Sequence, residues 1–192
     1  NGGVMAAGPE AWAMKPQPYL VAKVDGDEGW RERHAIPLQR SQKVSSLLMD
    51  RLGAYGTQHP LFRWSRVITA DEIRQAIGTP AQALQSPLRL NVLQRGTSGR
   101  VLALQIAGSG EAEPVVLRLD RIRRTLRRLP STLFVIEPQG WDRWLIQGGG
   151  FGHGAGLSQA GAIDLAWRGW STERILRHYY PGTVYGPLPA RV

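Results

Sequence analysis

Residues 147–159 read Gln147-Gly148-Gly149-Gly150-Phe151-Gly152-His153-Gly154-Ala155-Gly156-Leu157-Ser158-Gln159, with six glycines among thirteen positions. Three side chains here can exchange protons or hydrogen bonds: His153, Ser158 and Gln159. The run follows an apolar strand-like stretch and leads into an apolar helical one, residues 157–167. A glycine-rich entry to a helix presents unpaired N–H groups and the positive end of the dipole, suited to an anion or a sugar oxygen. Glycine also lets a ligand or a second backbone come close. A reading in which the glycines serve packing alone leaves the polar trio unexplained.

Known chemistries of such loops fit poorly. A phosphate-binding Walker loop needs a Gly-Lys-Ser/Thr ending, which is missing. Gly150-x-Gly152-x-x-Ala155 matches a dinucleotide fingerprint in form, but the residues after it offer no second strand ending in an acid. His153 and Ser158 could meet as a nucleophile pair, yet Leu157-Ser158-Gln159-Ala160-Gly161 is not a Gly-x-Ser-x-Gly elbow and no third orienting group is specified. The four histidines, His34, His59, His153 and His178, are far apart in sequence, and no His-Glu-x-x-His is present, so no metal ligand set is read. Zero cysteines exclude a disulfide framework, a thiolate zinc site and a cysteine nucleophile.

The elements that must position this loop follow from periodicity. Thr69-Ala70-Asp71-Glu72 is a capping box, with Ile68 and Ile73 set for a hydrophobic staple; a helix is predicted over residues 69–77 with Ile73, Ala76 and Ile77 buried, ended by Gly78 and Pro80. Residues 88–95 and 100–106 flank Gly96-Thr97-Ser98-Gly99 as a β-hairpin, extended by a third strand at 115–119. Residues 133–136 and 144–146 form another pair about Pro138-Gln139-Gly140. Phe62, Trp64 and Val67 mark a strand with one buried side, and residues 44–52 a short helix. Ser171 caps a final helix that Pro181-Gly182 stops, with Leu176, Tyr179 and Tyr180 facing inward. Residues 1–30 read as loop with short extended pieces, ending in the acidic turn Asp25-Gly26-Asp27-Glu28. The sum is α+β, a single domain of mainly antiparallel strands with about four helices.

Charge is one-sided: the formal net charge is +9, and only three of the 24 basic residues are lysines. Six arginines fall in residues 118–128, where Leu119, Ile122, Leu126 and Leu129 form the apolar stripe of a helix with Asp120 as its N-cap. Such a face is either simply solvated or an anion-binding surface for nucleic acid, anionic lipid or an acidic polymer such as cell wall, and charge alone does not choose among them. No aromatic residues interleave with it, so nucleic acid is not read as a partner. At 192 residues, 42% hydrophobic and 20% charged, the chain suits one globular domain and lacks an apolar run long enough to span a bilayer. It opens at Asn1-Gly2-Gly3 without an initiator methionine, which is read as a processed or truncated piece whose targeting segment is missing.

The motif Gly150-Phe151-Gly152-His153-Gly154-Ala155-Gly156-Leu157-Ser158-Gln159-Ala160-Gly161-Ala162, followed by Gly169-Trp170-Ser171 and by Ile175-Leu176-Arg177-His178-Tyr179-Tyr180-Pro181-Gly182-Thr183, resembles the stage II sporulation protein D / amidase-enhancer (SpoIID/LytB) family. Ser98-Gly99-Arg100-Val101, Ile122-Arg123, Ser131-Thr132-Leu133-Phe134, Asn1-Gly2-Gly3, Trp12 and Pro18-Tyr19-Leu20 extend the resemblance along nearly the whole chain. It implies that residues 1–192 are the C-terminal portion of a SpoIID/LytB-like domain acting on peptidoglycan in the periplasm or cell envelope.

Sporulation members of that family are lytic transglycosylases of glycan strands lacking stem peptides; amidase-enhancer members instead stimulate a cell-wall amidase. The implied partners are thus glycan strands and an amidase, with membrane association through a segment preceding Asn1. The family's catalytic glutamate lies N-terminal to the Asn-Gly-Gly element, so no catalytic residue is assigned here. Glu10, Glu28, Glu32, Glu72, Glu111, Glu113, Glu137 and Glu173 are read as caps, turns or surface. Val4-Met5-Ala6 departs from the polar and acidic residues usual after the two glycines. No metal or cofactor is expected on this chain. Gly152, His153, Gly154, Ser158 and Gln159 are the expected substrate-binding residues.

Overall fold

Thr69 performs the reciprocal capping its sequence asks for. Its hydroxyl accepts from the Glu72 N–H at 3.3 Å, and its own N–H donates to the Glu72 carboxylate at 2.9 Å. The chain thereby turns from β3 (Arg63–Thr69) into α4 (Ala70–Ile77) within one residue. Gly78, at φ +77°, ends the helix. In this computed structural model, which describes residues 1–187, the architecture is α+β in one domain. Residues 188–192 of the expected 1–192 span lie outside the described residues.

Three antiparallel sheets are present among the described residues. The first pairs β1 (Val4–Met5) with β2 (Lys23–Val24). The second has the order β3–β8–β7, with β7 (Phe134–Pro138) and β8 (Arg143–Gly149) forming the expected hairpin. On the other edge of β8, β3 pairs along its whole length, Arg63 opposite Gly149 and Thr69 opposite Arg143. The third is the expected meander, β4 (Arg89–Arg95), β5 (Val101–Ala107) and β6 (Val115–Arg118). These two three-stranded sheets share the main core, where Trp64, Ile68, Phe134 and Ile146 meet Val101, Leu104, Ile106 and Leu117. Ile73 of α4 and Ile122 of α6 (Arg121–Thr125) complete it.

Eight α-helices occur among the described residues, against about four expected. Four run eight or nine residues: α3 (Ser41–Met49), α4, α7 (Gln159–Trp167) and α8 (Thr172–Tyr179). The remainder, α1 (Gly8–Ala11), α2 (Glu28–Arg33), α5 (Thr79–Gln82) and α6, span four to six residues; only α6 is marked by an apolar stripe, and the other three are too short for a 3.6-residue period to register.

Three local expectations need correction. On β3 it is Trp64 and Ile68 that are buried, and Val67, at odd spacing from both, is only half-buried. On α4, Ala70 and Ile73 are buried while Ala76 is exposed. The arginine helix starts after Asp120 as read but ends at Thr125, about one turn short of Leu129, the last residue of its stripe. Leu119 sits at φ +50°, and Asp120 holds the N-cap position without capping, because Arg123 and Arg124 both bond its carboxylate at 2.6 Å. The stripe itself holds, since Ile122, Leu126 and Leu129 are all in the main core.

Two-residue β1 is the hub that positions the glycine loop. Val4 packs with Trp30, Val44 and Phe62, Met5 with Tyr55, Leu165 and Tyr179, and Ala6 with Ala11 and Ala155. Three consecutive residues thus feed three clusters. Their apolar character, unexpected at the rim of a polar site, is what the packing requires.

Candidate functional site

The glycine loop leaves β8 at Gly149 and is stitched down on both flanks. Gly150 donates to the Phe62 carbonyl at 3.2 Å and accepts from the Trp64 indole N–H at 3.0 Å. Gly152 donates to the Pro130 carbonyl at 2.9 Å and bridges Ser131, while Ala155 bridges Ala6. Backbones pass at van der Waals limits here. A Cβ on Gly150 would stand 2.6 Å from the Asn1 carbonyl carbon, and one on Gly2 would stand 2.7 Å from that of Gly149. The glycines at both places are therefore mutual: each chain must lack a side chain for the other to fit.

Between this loop, the opening residues and the start of α7 runs a groove with a volume of about 350 Å³. All five expected binding residues, Gly152, His153, Gly154, Ser158 and Gln159, line it. Gln159 and Phe151 are exposed, His153 is half-buried, and Ser158 is buried. Sequence reasoning missed the opposite wall, formed by Asn1, Tyr55, Gly56 and His59. The consecutive glycines at 2–3 and 148–150 were the available signal for Asn1; Tyr55 and His59 had none.

His153 has a defined tautomer. Its Nδ1 accepts from the Ala155 N–H at 3.2 Å, which leaves Nε2 as the protonated nitrogen of the neutral ring. Burial pushes its pKa down from the ordinary 6.5; Asp120 opposes this, and Arg123 and Arg100 add to it. The indole of Trp12 packs on the ring at 4.5 Å between centroids. His153 is thus a fixed, neutral hydrogen-bond donor at neutral pH. Ser158 is the N-cap of α7, its hydroxyl accepting from the Gly161 N–H at 3.2 Å. The N–H groups of the first turn of α7, Gln159 and Ala160 among them, have no partner inside the helix.

Beneath the loop lies Arg100, fully buried, donating to the Val4 carbonyl at 3.1 Å and the Asn1 carbonyl at 2.9 Å. Burial lowers its pKa to about 10, with Glu10 opposing, so it stays charged. Glu10 is a correction to the sequence reading. It is buried, not a surface, turn or cap residue, and its carboxylate accepts from the Ser98 N–H at 3.2 Å.

A second correction concerns the acidic turn. Asp25 is fully buried and gathers partners from both ends of the chain. His178 Nε2 lies 2.7 Å from Oδ1; the Asn1 amide donates to Oδ2 at 2.5 Å, and the Tyr179 hydroxyl donates to it at 3.2 Å. Burial, then the Asp25 charge, drives the Tyr179 pKa far above its ordinary value, keeping it a phenol. Lys23 closes the cluster, donating to the His178 carbonyl at 2.7 Å. Asp25 therefore fixes Asn1 at the groove wall and ties α8 to β2.

No carboxylate among the described residues lines the groove. Its chemistry is that of neutral donors and acceptors, with one exposed aromatic face at Phe151. Among the described residues no three His, Asp or Glu side chains converge as a metal site.

Residues 6–156 match the family described as a domain of unknown function (DUF8618). The chain belongs to the DUF8618 family. The matched span begins just after β1, runs through most of the glycine loop and stops short of Ser158 and Gln159. A curated relative reaches further. The amidase enhancer of Bacillus subtilis (strain 168) is 26% identical over 213 residues, covering 96% of this DUF8618 chain and 28% of the relative. The chain thus spans under a third of that protein's length, and the relative's name agrees with one half of the resemblance drawn from the motifs.

Proposed function

We propose that the groove binds glycan strands of peptidoglycan and that this chain acts in the cell envelope as the C-terminal portion of a SpoIID/LytB-like domain. What supports the reading is one observation: the five residues singled out by the motif line a single open groove whose described lining has no carboxylate, lysine or arginine side chain. Neutral sugars are recognised by such sets, with hydroxyls meeting the Nε2–H of His153, the Gln159 amide and the first-turn N–H groups of α7. The exposed ring of Phe151 offers an apolar face for the C–H side of a pyranose.

Cleavage by this groove requires a carboxylic acid that it does not itself supply. In the lytic transglycosylase reading, a glutamate on a segment preceding Asn1 protonates the glycosidic oxygen, and the sugar's own hydroxyl closes an anhydro ring at the oxocarbenium-like centre. Asn1 lines the groove, so such a segment would arrive beside the bound sugar. The second reading, a binding module that activates a cell-wall amidase, is favoured by the absence of a carboxylate from the groove's described lining and by the name of the relative. None of the described helices is long and apolar enough to cross a bilayer.

The test pairs binding with cleavage. Glycan oligosaccharides are titrated into the chain and into His153→Ala and Gln159→Ala, and a longer form carrying the upstream segment is assayed for anhydro-muramyl ends. Each substitution is expected to weaken binding about five- to tenfold, the worth of one hydrogen bond to a well-placed partner. Undiminished affinity in both variants would remove the loop from the site. Binding without anhydro ends would favour the activating module.

A further inference from the structure

Next to the groove is a second cavity, of about 470 Å³, whose polar lining is entirely arginine: Arg66, Arg123, Arg124, Arg127 and Arg128. It shares one residue with the groove, Phe151, which is 62% exposed and stands between them. The two are also tied through the backbone, since the Gly152 N–H donates to the carbonyl of Pro130, which lines the arginine cavity.

The positive charge is only partly compensated. Asp120 engages Arg123 and Arg124, and Glu72 engages Arg128, but neither carboxylate lines the cavity. Arg66 donates to the Ser65 carbonyl, a neutral acceptor. Arg127 is exposed, and no carboxylate contact to it is found among the described residues. Two guanidinium groups from different elements, one on β3 and one just past α6, thus face a common space with no counter-charge in it. Guanidinium forks bind carboxylates in the plane, often with two parallel hydrogen bonds.

We infer that this cavity is an anion subsite for a carboxylate carried by the same sugar chain that lies in the groove, with Arg66 and Arg127 as the residues that read it. A neutral groove and a cationic cavity sharing one aromatic residue fit a polymer of alternating character: uncharged rings bearing an acid at intervals. Resting on the glycan reading above, the inference names that acid as the lactyl carboxylate of the muramyl residue. In a strand whose lactyl groups are amide-linked to peptide that charge is absent, and the subsite has nothing to hold.

The experiment titrates three probes into the chain: a muramyl-containing glycan oligosaccharide with free lactyl carboxylates, the same oligosaccharide with those groups reduced to alcohols, and a neutral chitin oligosaccharide. The variants are Arg127→Gln, at an exposed position, and Arg66→Gln/Arg127→Gln. The unaltered chain is expected to prefer the acid form about tenfold, one charge-assisted pair, and to lose that preference as salt rises. In the double variant the ratio falls to about one, with chitin affinity unchanged. A preference that survives in the double variant overturns the subsite. So does equal affinity of the unaltered chain for all three probes, which leaves the groove reading intact. If no sugar binds the unaltered chain, the groove reading itself has failed and the subsite with it. A further arm uses poly(glycerol phosphate); if the substitutions weaken this polymer alone, the cavity serves a phosphodiester and the carboxylate inference is wrong.

Discussion

Arg100 occupies the space that a side chain at position 154 would fill. A Cβ on Gly154 would lie 2.0 Å from Nη2 and 2.4 Å from the central carbon of the guanidinium, and the residue sits at φ +76°. The glycine loop is therefore laid over a buried cation that also holds the carbonyls of Asn1 and Val4. Gly154→Ala should combine backbone strain with overpacking and lower the unfolding free energy by roughly 2–4 kcal/mol. Urea unfolding measures this. A loss below about 0.5 kcal/mol, the scale of an ordinary surface change, would mean the loop does not rest on Arg100.

Asp25→Asn removes the charge on which His178, Tyr179 and Asn1 converge. Breaking a buried, fully bonded cluster of this kind costs about 3–5 kcal/mol. Tyr179→Phe, which removes a single donor, should cost about 1–3 kcal/mol. Thermal or urea unfolding of both separates the two, and equal losses would show that Asp25 is not the centre of the cluster.

Acid should weaken the fold through His153. Burial holds the folded-state pKa below the ordinary 6.5, so above that value both states are neutral and the ring contributes no pH dependence. As pH falls through 6.5 the unfolded chain takes up a proton before the folded one, and stability declines until the folded-state pKa is passed. Urea midpoints for the chain and for His153→Gln, compared between pH 7.5 and 5, should diverge against the unaltered chain on acidification. Divergence in the opposite direction would mean that the ring is held protonated.

Phe151→Ala is expected to separate binding from folding. The ring is 62% exposed, so its loss should change the unfolding free energy by less than about 0.5 kcal/mol. Glycan affinity should drop several-fold, because the ring belongs to both cavities. Isothermal titration at neutral pH tests this, and unchanged affinity would leave the aromatic face without a role.

Much of the frame was legible because its signals are local. The capping box at Thr69, the hairpin about Gly96 to Gly99 and the serine cap of α8 each need only a few neighbouring residues, and the structure holds all of them. The binding loop could be singled out because six glycines in thirteen residues are rare and stand beside a polar trio. What stayed hidden is long-range. Asp25 and His178 are 153 residues apart, and nothing in Asp25-Gly26-Asp27-Glu28 distinguishes a buried acid from a solvated turn. Glu10 looked like a surface residue for the same reason, since its partner Ser98 is 88 residues away. Asp120 resembled a cap because the sequence does not reveal that Arg123 and Arg124 compete for its oxygens.

The anchoring of Asn1 by Asp25, and of Asp25 by α8, has a consequence for how the protein comes into being. Residues at the two extremes of the sequence must meet before the furrow has both its walls, and contacts of such separation are the slowest to form. A nascent chain still short of Tyr179 would carry the glycine ribbon but not the fixed wall facing it. The complete furrow would then form only in a late step, once α8 has been synthesised.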